Sequence, residues 1–383
     1  MNTETASQIA EKEQSRDTTS QFNAASPTDT PVEDRPPQTK RMPRKIFAAI
    51  LFIILLTGIG IYSLSNRTSP PSATTANTPK LYHVGILSAL DFFAPTTEGF
   101  KQRMTQLGYI EGKNIVYDIR RADRPVGNQS IIKDFVDAKV DLILAFPTEA
   151  AIEAKAGTKG TSIPVVSGNT IIEGSSLVDS LQRPGGNITG VRFPAPEIAL
   201  KRLELMQQIA PKAKRLMVPY LKDYPSISAA FAAIEPAAAA AGIKLIKVPL
   251  NTTDPTDLKA YLSSLPAKGN VGFDGILFIP EPVAALPSTV GILCDYAAVH
   301  LLPVGGGALT STDRGAIFTI GPNSFEVGKL AAPLAVKIFT GTKAGDIPIV
   351  SPENELKFNI KAAQRLGLTI DESLLSTATS IVR

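Results

Sequence analysis

Short apolar runs alternate with amphipathic segments from residue 81 onward, and this alternation constrains the fold more than any other feature of the chain. Apolar runs of strand length separated by segments of helix length are typical of right-handed βαβ units, in which helices cover both faces of a parallel sheet. The predicted strands cover residues 81–87, 114–120, 140–146 and 163–166 in a first series, and 215–220, 243–250, 273–280 and 301–307 in a second. The sequence therefore predicts an α/β protein with two doubly wound parallel-sheet lobes.

The segments between these runs predict the crossover helices and the connection of the two lobes. Helices are predicted over residues 98–107, 129–138, 148–156, 227–241, 256–265 and 283–299. Pro236 lies inside one of them and is predicted to bend or split it, because proline lacks the backbone N–H and clashes with the preceding turn. Residues 184–196 are rich in Gly and Pro and are interpreted as a crossover between lobes that are joined by a hinge.

Residues 46–64 form the one run that is too apolar and too long for an ordinary soluble helix. The run carries no charge, follows a basic cluster at residues 41–45, and approaches the length needed to span the ~30 Å hydrocarbon core of a bilayer. We predict one transmembrane helix that anchors the protein in the cell membrane, single-pass, with the following domain in the periplasm or the extracellular space. A cleaved signal peptide is the alternative, and Met42 would itself begin a normal export signal.

The segments on either side of the apolar run have the composition of unfolded chain. Residues 1–45 are predicted to be a disordered cytoplasmic tail because they contain few apolar residues, and this tail would not exist if translation began at Met42. Residues 65–79 are rich in Ser, Thr and Pro and are interpreted as an extended linker. The first lobe is assigned to residues 80–190 and 322–345, and the second lobe to residues 191–321 and 346–383.

Charge and residue types exclude several classes of function. The net charge of +4 is spread along the chain, with no basic block outside the cluster at residues 41–45, so no nucleic-acid partner is expected. Cys294 is the single cysteine, and its apolar, helix-like context predicts a buried structural thiol. The two histidines, His83 and His300, lie far apart and no metal-ligand spacing occurs, so neither a metal nor another cofactor is expected.

Near-matches to enzyme motifs fail on their spacing. Residues 108–113 (GYIEGK) have too few residues between their glycines for a phosphate loop, and they are interpreted as a helix end followed by a turn. The glycines at residues 305–307 follow a predicted strand but lack the dinucleotide-binding spacing, and the sequence contains no G-x-S-x-G pattern. We therefore predict no enzymatic activity.

Candidate ligand-binding residues follow the predicted strands, because ligands of open α/β sheets bind beyond the carboxyl ends of the strands. Phe92 and Phe93 would either stack on a planar or apolar ligand or pack beneath the first helix. Thr148 would face the ligand, serve as the N-cap of its helix, or do both. The candidates are Leu90, Asp91, Phe92, Phe93, Thr148, Glu149, Asn169, Thr170 and Asn323 in the first lobe, and Tyr220, Asp223, Tyr224, Glu281 and Gly306 in the second.

Several segments match a known family in their order and spacing. They are EGFKQRMTQLGYIEGKNIVYD, VDLILAFPTEAA, IPVV, LVDSLQRPGGNITGV, KRLELMQQIAPKAKRL, GKLAAPLAVKIFTGTKAGDIPI and FNIKAAQRLGL. With these segments the chain resembles, from about residue 81 to residue 368, the substrate-binding proteins of the ABC-transporter family. The resemblance is to the branch of type I periplasmic binding proteins whose better-known members bind aromatic amino acids.

The resemblance implies two lobes that close on a small, amino-acid-like solute and deliver it to an ABC permease and its ATPase without changing it chemically. A ligand carboxylate would then need backbone N–H groups or hydroxyls, which helix N-termini at Thr148 and near Thr170 offer. The sequence departs from the family at Asn169, where an acidic residue is usual, and at Glu281, where Asp is common. A monomer is expected. A membrane-anchored ligand-sensing domain that signals through a partner protein is the alternative function.

Overall fold

The computed structural model describes residues 80–122, 127–267 and 269–383. The predicted tail, apolar run and linker therefore lie outside the described residues. Among the helices that the structure does describe, none is both long and apolar enough to cross a bilayer. The described part contains two α/β lobes built on parallel strands, as the alternation of apolar runs predicts.

A five-stranded sheet, parallel throughout, forms the centre of the first lobe. Its elements are β1 (Tyr82–Ser88), α1 (Pro95–Gln106), β2 (Ile115–Arg121), α2 (Gln129–Asp137), β3 (Leu142–Phe146), α3 (Thr148–Gly157), β4 (Val165–Thr170) and β5 (Ile188–Arg192). The strand order is β2-β1-β3-β4-β5. Every residue of β3 is buried, as expected for a strand that is covered by helices on both faces. Buried apolar side chains accordingly pack in one cluster on each face of this sheet.

A seven-stranded sheet forms the centre of the second lobe. Its first elements are α4 (Ala195–Ile209), β6 (Arg215–Leu221), α5 (Ile227–Ala240), β7 (Lys244–Leu250), α6 (Pro255–Ser263), β8 (Gly275–Leu277), α7 (Pro282–Ala285), α8 (Pro287–His300), β9 (Val304–Gly305) and β10 (Phe318–Pro322). The chain then forms α9 (Ser324–Phe339), β11 (Asn354–Asn359), α10 (Ile360–Arg365), α11 (Glu372–Leu375) and β12 (Ser380–Val382). The strand order is β12-β11-β10-β9-β8-β6-β7. Cys294 is buried in this lobe, as predicted.

Strand β11 runs antiparallel to β10, which corrects the prediction of a purely parallel second sheet. After β10 the chain leaves this lobe and forms α9 against α1 and β4 of the first lobe. It then returns from the side at which β10 ended, so β11 has to run in the opposite direction. The other pairings of this sheet are parallel.

Two glycines bring α9 and α1 into backbone contact. A side chain at Gly99 would clash with the carbonyl oxygen of Phe325, and one at Gly328 would clash with the carbonyl oxygen of Thr96. Glycine inside a helix costs conformational entropy, and close approach of two backbones is the usual reason for keeping it. The pair therefore explains how a helix late in the sequence becomes part of the first lobe.

Three crossovers join the lobes: one follows β5, one follows β10 and one precedes β11. The first and third lie side by side, since Val350 accepts a hydrogen bond from Arg192 N and donates one to Gly190 O, both at 2.9 Å. The Arg192 side chain also donates to Ser351 Oγ at 2.7 Å. The first and third crossovers are thus held together. The lobe boundaries assigned from the sequence stay a prediction.

Prolines act differently in two helices of the second lobe. Pro236 was predicted to bend or split its helix, and the split does not occur, because α5 continues through Pro236. Pro236 and Ala232, whose carbonyl loses its partner, are both exposed, so water can satisfy that carbonyl. Pro287 instead divides the helix predicted over residues 283–299, because the residue before it, Leu286, is extended with φ −83° and ψ 125°.

Strands β5, β10, β11 and β12 were not predicted from the sequence. β5 lies inside the segment interpreted only as a crossover, and it is short, flanked by glycine and proline, and paired on one side with β4. The predicted strands over residues 273–280 and 301–307 are also shorter than expected, since β8 has three residues and β9 has two. Glycine and proline at their ends limit the ladder that these strands form.

Candidate functional site

A cavity of about 510 Å³ lies between the two lobes, at the carboxyl ends of the strands of both sheets. Its volume falls in the range of ~300–1,000 Å³ that is typical of small-molecule sites. Its lining combines aromatic and apolar side chains with a few buried polar groups. The predicted candidates that line it are Leu90, Phe92, Phe93, Thr148, Glu149, Asn169, Tyr224, Glu281 and Asn323.

Three candidates lie near the cavity but do not line it. Asp91 is exposed on the short 3-10 turn that carries Phe92 and Phe93. Asp223 is exposed in the loop after β6, with a left-handed φ of 61°. Gly306 lies behind the lining, where its missing side chain makes room for Arg202, and the next residue lines the cavity instead.

Two further candidates are engaged in the packing of their own lobes. Thr170 is buried, its hydroxyl donates to Gly168 O at 3.0 Å, and its carbonyl accepts from Phe193 N at 2.7 Å. Tyr220 packs edge-on against Phe231 with ring centroids 5.1 Å apart, in the second-lobe core. The structure therefore does not bring these two side chains to the cavity.

Aromatic side chains dominate the first-lobe wall of the cavity. Phe92 and Phe93 stand edge to face with centroids 4.9 Å apart, and both line the cavity while also packing on the first-lobe core. Two more rings line the cavity from outside this wall: Phe193, on the first crossover and packed against the second-lobe core, and Tyr224 of the second lobe. The arrangement offers apolar faces and ring edges, which suit a planar or apolar ligand group.

Thr148 and Asn169 supply the polar part of the same wall. Thr148 is not an N-cap: Pro147 precedes the helix, and the Thr148 hydroxyl accepts from Ile171 N at 2.9 Å. Asn169 is 2% exposed, and its Nδ2 donates to Thr96 Oγ1 at 2.8 Å. Its Oδ1 has no partner among the described residues, and its φ of 49° coincides with an irregularity in the β4–β5 register. Such irregularities commonly redirect a side chain at a functional site.

Glu281 forms the base of the second-lobe wall and is 6% exposed. Its Oε2 accepts from Leu221 N and its Oε1 from Ala284 N, both at 3.0 Å, so it ties the end of β6 to the N-terminus of α7. Burial raises the pKa of the Glu281 carboxyl to about 7, against the backbone N–H groups and the Arg202 charge, which lower it.

Arg202 is a buried cation in the same wall, and sequence reasoning missed it. It is 2% exposed and donates to the carbonyl oxygens of Phe278 at 3.2 Å, Gly307 at 2.6 Å and Ile320 at 3.0 Å. Burial lowers the pKa of the guanidinium to about 9, which leaves it charged at neutral pH. The signal was present in the sequence, because Arg202 falls on the apolar face of α4 between Ile198 and Met206.

Tyr224 spans the cavity from the second lobe to the first. Its phenol lies close to the side chains of Thr148 and Glu149 at the start of α3, and all three residues line the cavity. Burial, followed by the nearby Glu149 charge, raises the pKa of Tyr224 well above its ordinary value. The pKa of Glu149 is also raised, chiefly by burial, although its own backbone N–H and the nearby Tyr224 phenol lower it.

The mouth of the cavity carries charges from β11 that were not among the candidates. Glu355 accepts from Asn323 Nδ2 at 2.7 Å, and Lys357 lies two residues further along the strand. Within the described ranges, no group of three or more His, Cys, Asp or Glu side chains could hold a metal ion.

Comparison with known proteins places this geometry in a family. The model of the ABC transporter substrate binding protein family matches residues 88–382. A protein named as a tyrosine-binding protein from Clostridioides difficile is 27% identical over 341 residues, covering 87% of this chain and 95% of that protein.

Two solved structures share the fold over 79% of this chain and the whole of their own. A conserved domain protein from Vibrio cholerae is 27% identical with a TM-score of 0.69. An ABC domain from Streptococcus pneumonia, solved in complex with L-Trp, is 22% identical with a TM-score of 0.68.

Proposed function

This chain belongs to the ABC transporter substrate binding protein family, and we propose that it captures an amino-acid-like solute outside the cytoplasm and delivers it to an ABC permease and its ATPase. The cavity between the two lobes is the observation that carries the proposal. Closure of the lobes around the solute by hinge motion would hold it without any covalent change. We expect a monomer and no enzymatic activity.

We propose an aromatic amino acid as the ligand class. The similarity to a tyrosine-binding protein supports this class, and so do the aromatic side chains of Phe92, Phe93 and Phe193, which line the cavity. Of the predicted candidates, those that line the cavity are proposed to contact the ligand. The polar atoms of Thr148, Asn169 and Glu281 would then face the amino and carboxylate groups of the solute.

We propose that residues 46–64, which lie outside the described residues, tether the protein to the membrane near its permease. A tether converts docking on the permease into an intramolecular event and raises the effective concentration for it. N-terminal sequencing of the protein purified from membranes tests this part, and a mature start between residues 63 and 80 would contradict it.

Isothermal titration of the chain from residue 80 onward tests the ligand class. The panel comprises L-tyrosine, L-phenylalanine, L-tryptophan, L-alanine, L-glutamate and ribose. We expect tight binding of at least one aromatic amino acid, with L-alanine at least about tenfold weaker because it cannot reach the aromatic wall. Tight binding of ribose alone would contradict the ligand class, while chemical conversion of any solute would contradict the binding role.

A further inference from the structure

One loop of the second lobe approaches the first lobe both at the cavity and outside it. This loop, residues 221–226 from the last residue of β6 to the start of α5, is here called the 221–226 loop. It approaches the first lobe at two places, at Gly174 outside the cavity and at the start of α3 within its lining. The two lobes therefore approach each other at this loop as well as at the crossovers.

The approach to Gly174 leaves no room for a side chain. A Cβ at this position would clash with the carbonyl oxygen of Pro225 and lie 3.2 Å from its carbonyl carbon. Gly174 has a φ of +79° and is exposed, in a turn after β4. Gly174 does not line the cavity. Its close approach to Pro225 therefore affects the distance between the lobes, and it makes no contact with the ligand space.

The second approach uses Tyr224. Tyr224 lines the cavity together with Thr148 and Glu149, and its phenol lies close to both of these side chains. These contacts can form only when the loop lies against the first lobe. The contact between Gly174 and Pro225 and the approach of Tyr224 to α3 thus require the same arrangement of the two lobes.

The loop is also fixed to the base of its own lobe. Leu221 N donates to Glu281 Oε2 at 3.0 Å, and Lys222 N donates to Leu250 O at 2.7 Å. At the other end, Ile227 N donates to Tyr224 O at 3.1 Å. A loop held at both ends moves with its lobe, so a displacement at its tip is passed to the whole second lobe.

We propose that the 221–226 loop is the closing contact between the lobes, and that Gly174 is a positioning residue that sets how far they close. The role of Gly174 in ligand affinity rests on the proposed function, since closure stabilises a solute that lies between the lobes. Any side chain at residue 174 would keep the loop away from the first lobe and would weaken binding from a distance.

The test compares Gly174→Ala with Gly160→Ala in the full chain. Gly160 has a φ of +82°, is exposed, and has no atom within 4 Å of an added Cβ, so both variants carry the same backbone strain and only one carries the clash. L-Tyrosine is the probe for affinity and dissociation rate, and small-angle X-ray scattering reports the separation of the lobes with and without it.

We expect Gly174→Ala to raise the dissociation constant about tenfold or more, chiefly through faster dissociation, while Gly160→Ala stays within about twofold of the wild type. We also expect a larger radius of gyration for Gly174→Ala alone. Equal affinities and equal scattering for the two variants would overturn the inference.

Failure of the proposed function has a different signature. A wild-type protein that binds no solute of the panel contradicts the ligand class, but the scattering of the ligand-free proteins still decides the closing contact. In that case a larger radius of gyration for Gly174→Ala than for Gly160→Ala supports the contact, and identical values overturn it.

Discussion

The two walls of the cavity are built on different principles. The first-lobe wall presents aromatic rings, and its carboxylate, Glu149, is half-buried and lies close to the Tyr224 phenol. The second-lobe wall contains a fully buried carboxylate and a fully buried guanidinium, Glu281 and Arg202, whose hydrogen bonds go to backbone groups of their own lobe. A charge that holds the backbone stabilises the wall, whereas an exposed ring remains available to a ligand. We therefore expect changes in the second wall to reduce stability and changes in the first to reduce affinity.

The largest effect is expected for Arg202→Met. The substitution leaves three buried carbonyl groups without a donor and leaves Glu281 without a nearby cation, which typically costs about 3–5 kcal/mol. The free energy of unfolding from urea titration measures the loss. Lys201→Met is the matched control. Lys201 precedes Arg202 in the same helix, but its side chain is 46% exposed and forms an ion pair with Glu204 at the surface. Equal stability of the two variants would show that the buried cation does not hold the wall together.

Glu281 is expected to make stability depend on pH. Its pKa is about 7 in the folded protein and about 4.5 when unfolded, so between these values the unfolded chain releases a proton that the folded chain keeps. Stability should therefore fall as pH rises from about 4.5 to 7, by roughly 1–3 kcal/mol from this group. Urea midpoints at several pH values measure the slope, and Glu281→Gln should flatten it.

Glu353→Gln serves as the control for that pH experiment, because Glu353 is exposed at the surface of the same lobe. Its profile should match that of the wild type. If Glu281→Gln also leaves the wild-type profile unchanged, the buried carboxyl is not the source of the pH dependence.

Phe92→Ala probes the first wall, where the effect should appear in affinity. Phe92 is half-buried and lines the cavity, so its loss should weaken binding of an aromatic amino acid about tenfold and lower stability by about 1 kcal/mol or less. Phe339→Ala removes a ring of the same size and similar burial that stacks on Tyr82 and does not line the cavity. Ligand affinity is measured by titration calorimetry. An equal loss of affinity in both variants would contradict the idea that the first wall binds the ligand through its rings.

The smallest effect is expected for Asp91→Asn. Asp91 is an acidic candidate by sequence, but its side chain is exposed beside the aromatic pair and does not line the cavity. Exposed substitutions usually change stability by less than about 0.5 kcal/mol, and ligand affinity should stay within about twofold. A large loss of affinity would mean that the ligand extends beyond the cavity described above.

Local patterns in the sequence were sufficient to predict the buried strands and several of the cavity-lining residues that follow them. The runs over residues 81–87, 140–146 and 215–220 become β1, β3 and β6 to within two residues, because a continuous apolar run cannot be left in water. Phe92, Thr148 and Glu281 line the cavity because each follows such a strand. Tyr220 also follows one, yet its ring turns into the core, and strand position alone does not settle that direction.

The sequence by itself determined the α/β class, the two lobes and the edge at which a ligand can bind, because the period of buried side chains and the spacing of turns are local properties. Only the tertiary structure decided that α9 joins the first lobe through Gly99 and Gly328, and that β11 reverses direction. It also brought Arg202 to the cavity and Gly174 to Pro225. These contacts join residues far apart in the chain, and their geometry depends on how whole elements pack, which no local pattern records.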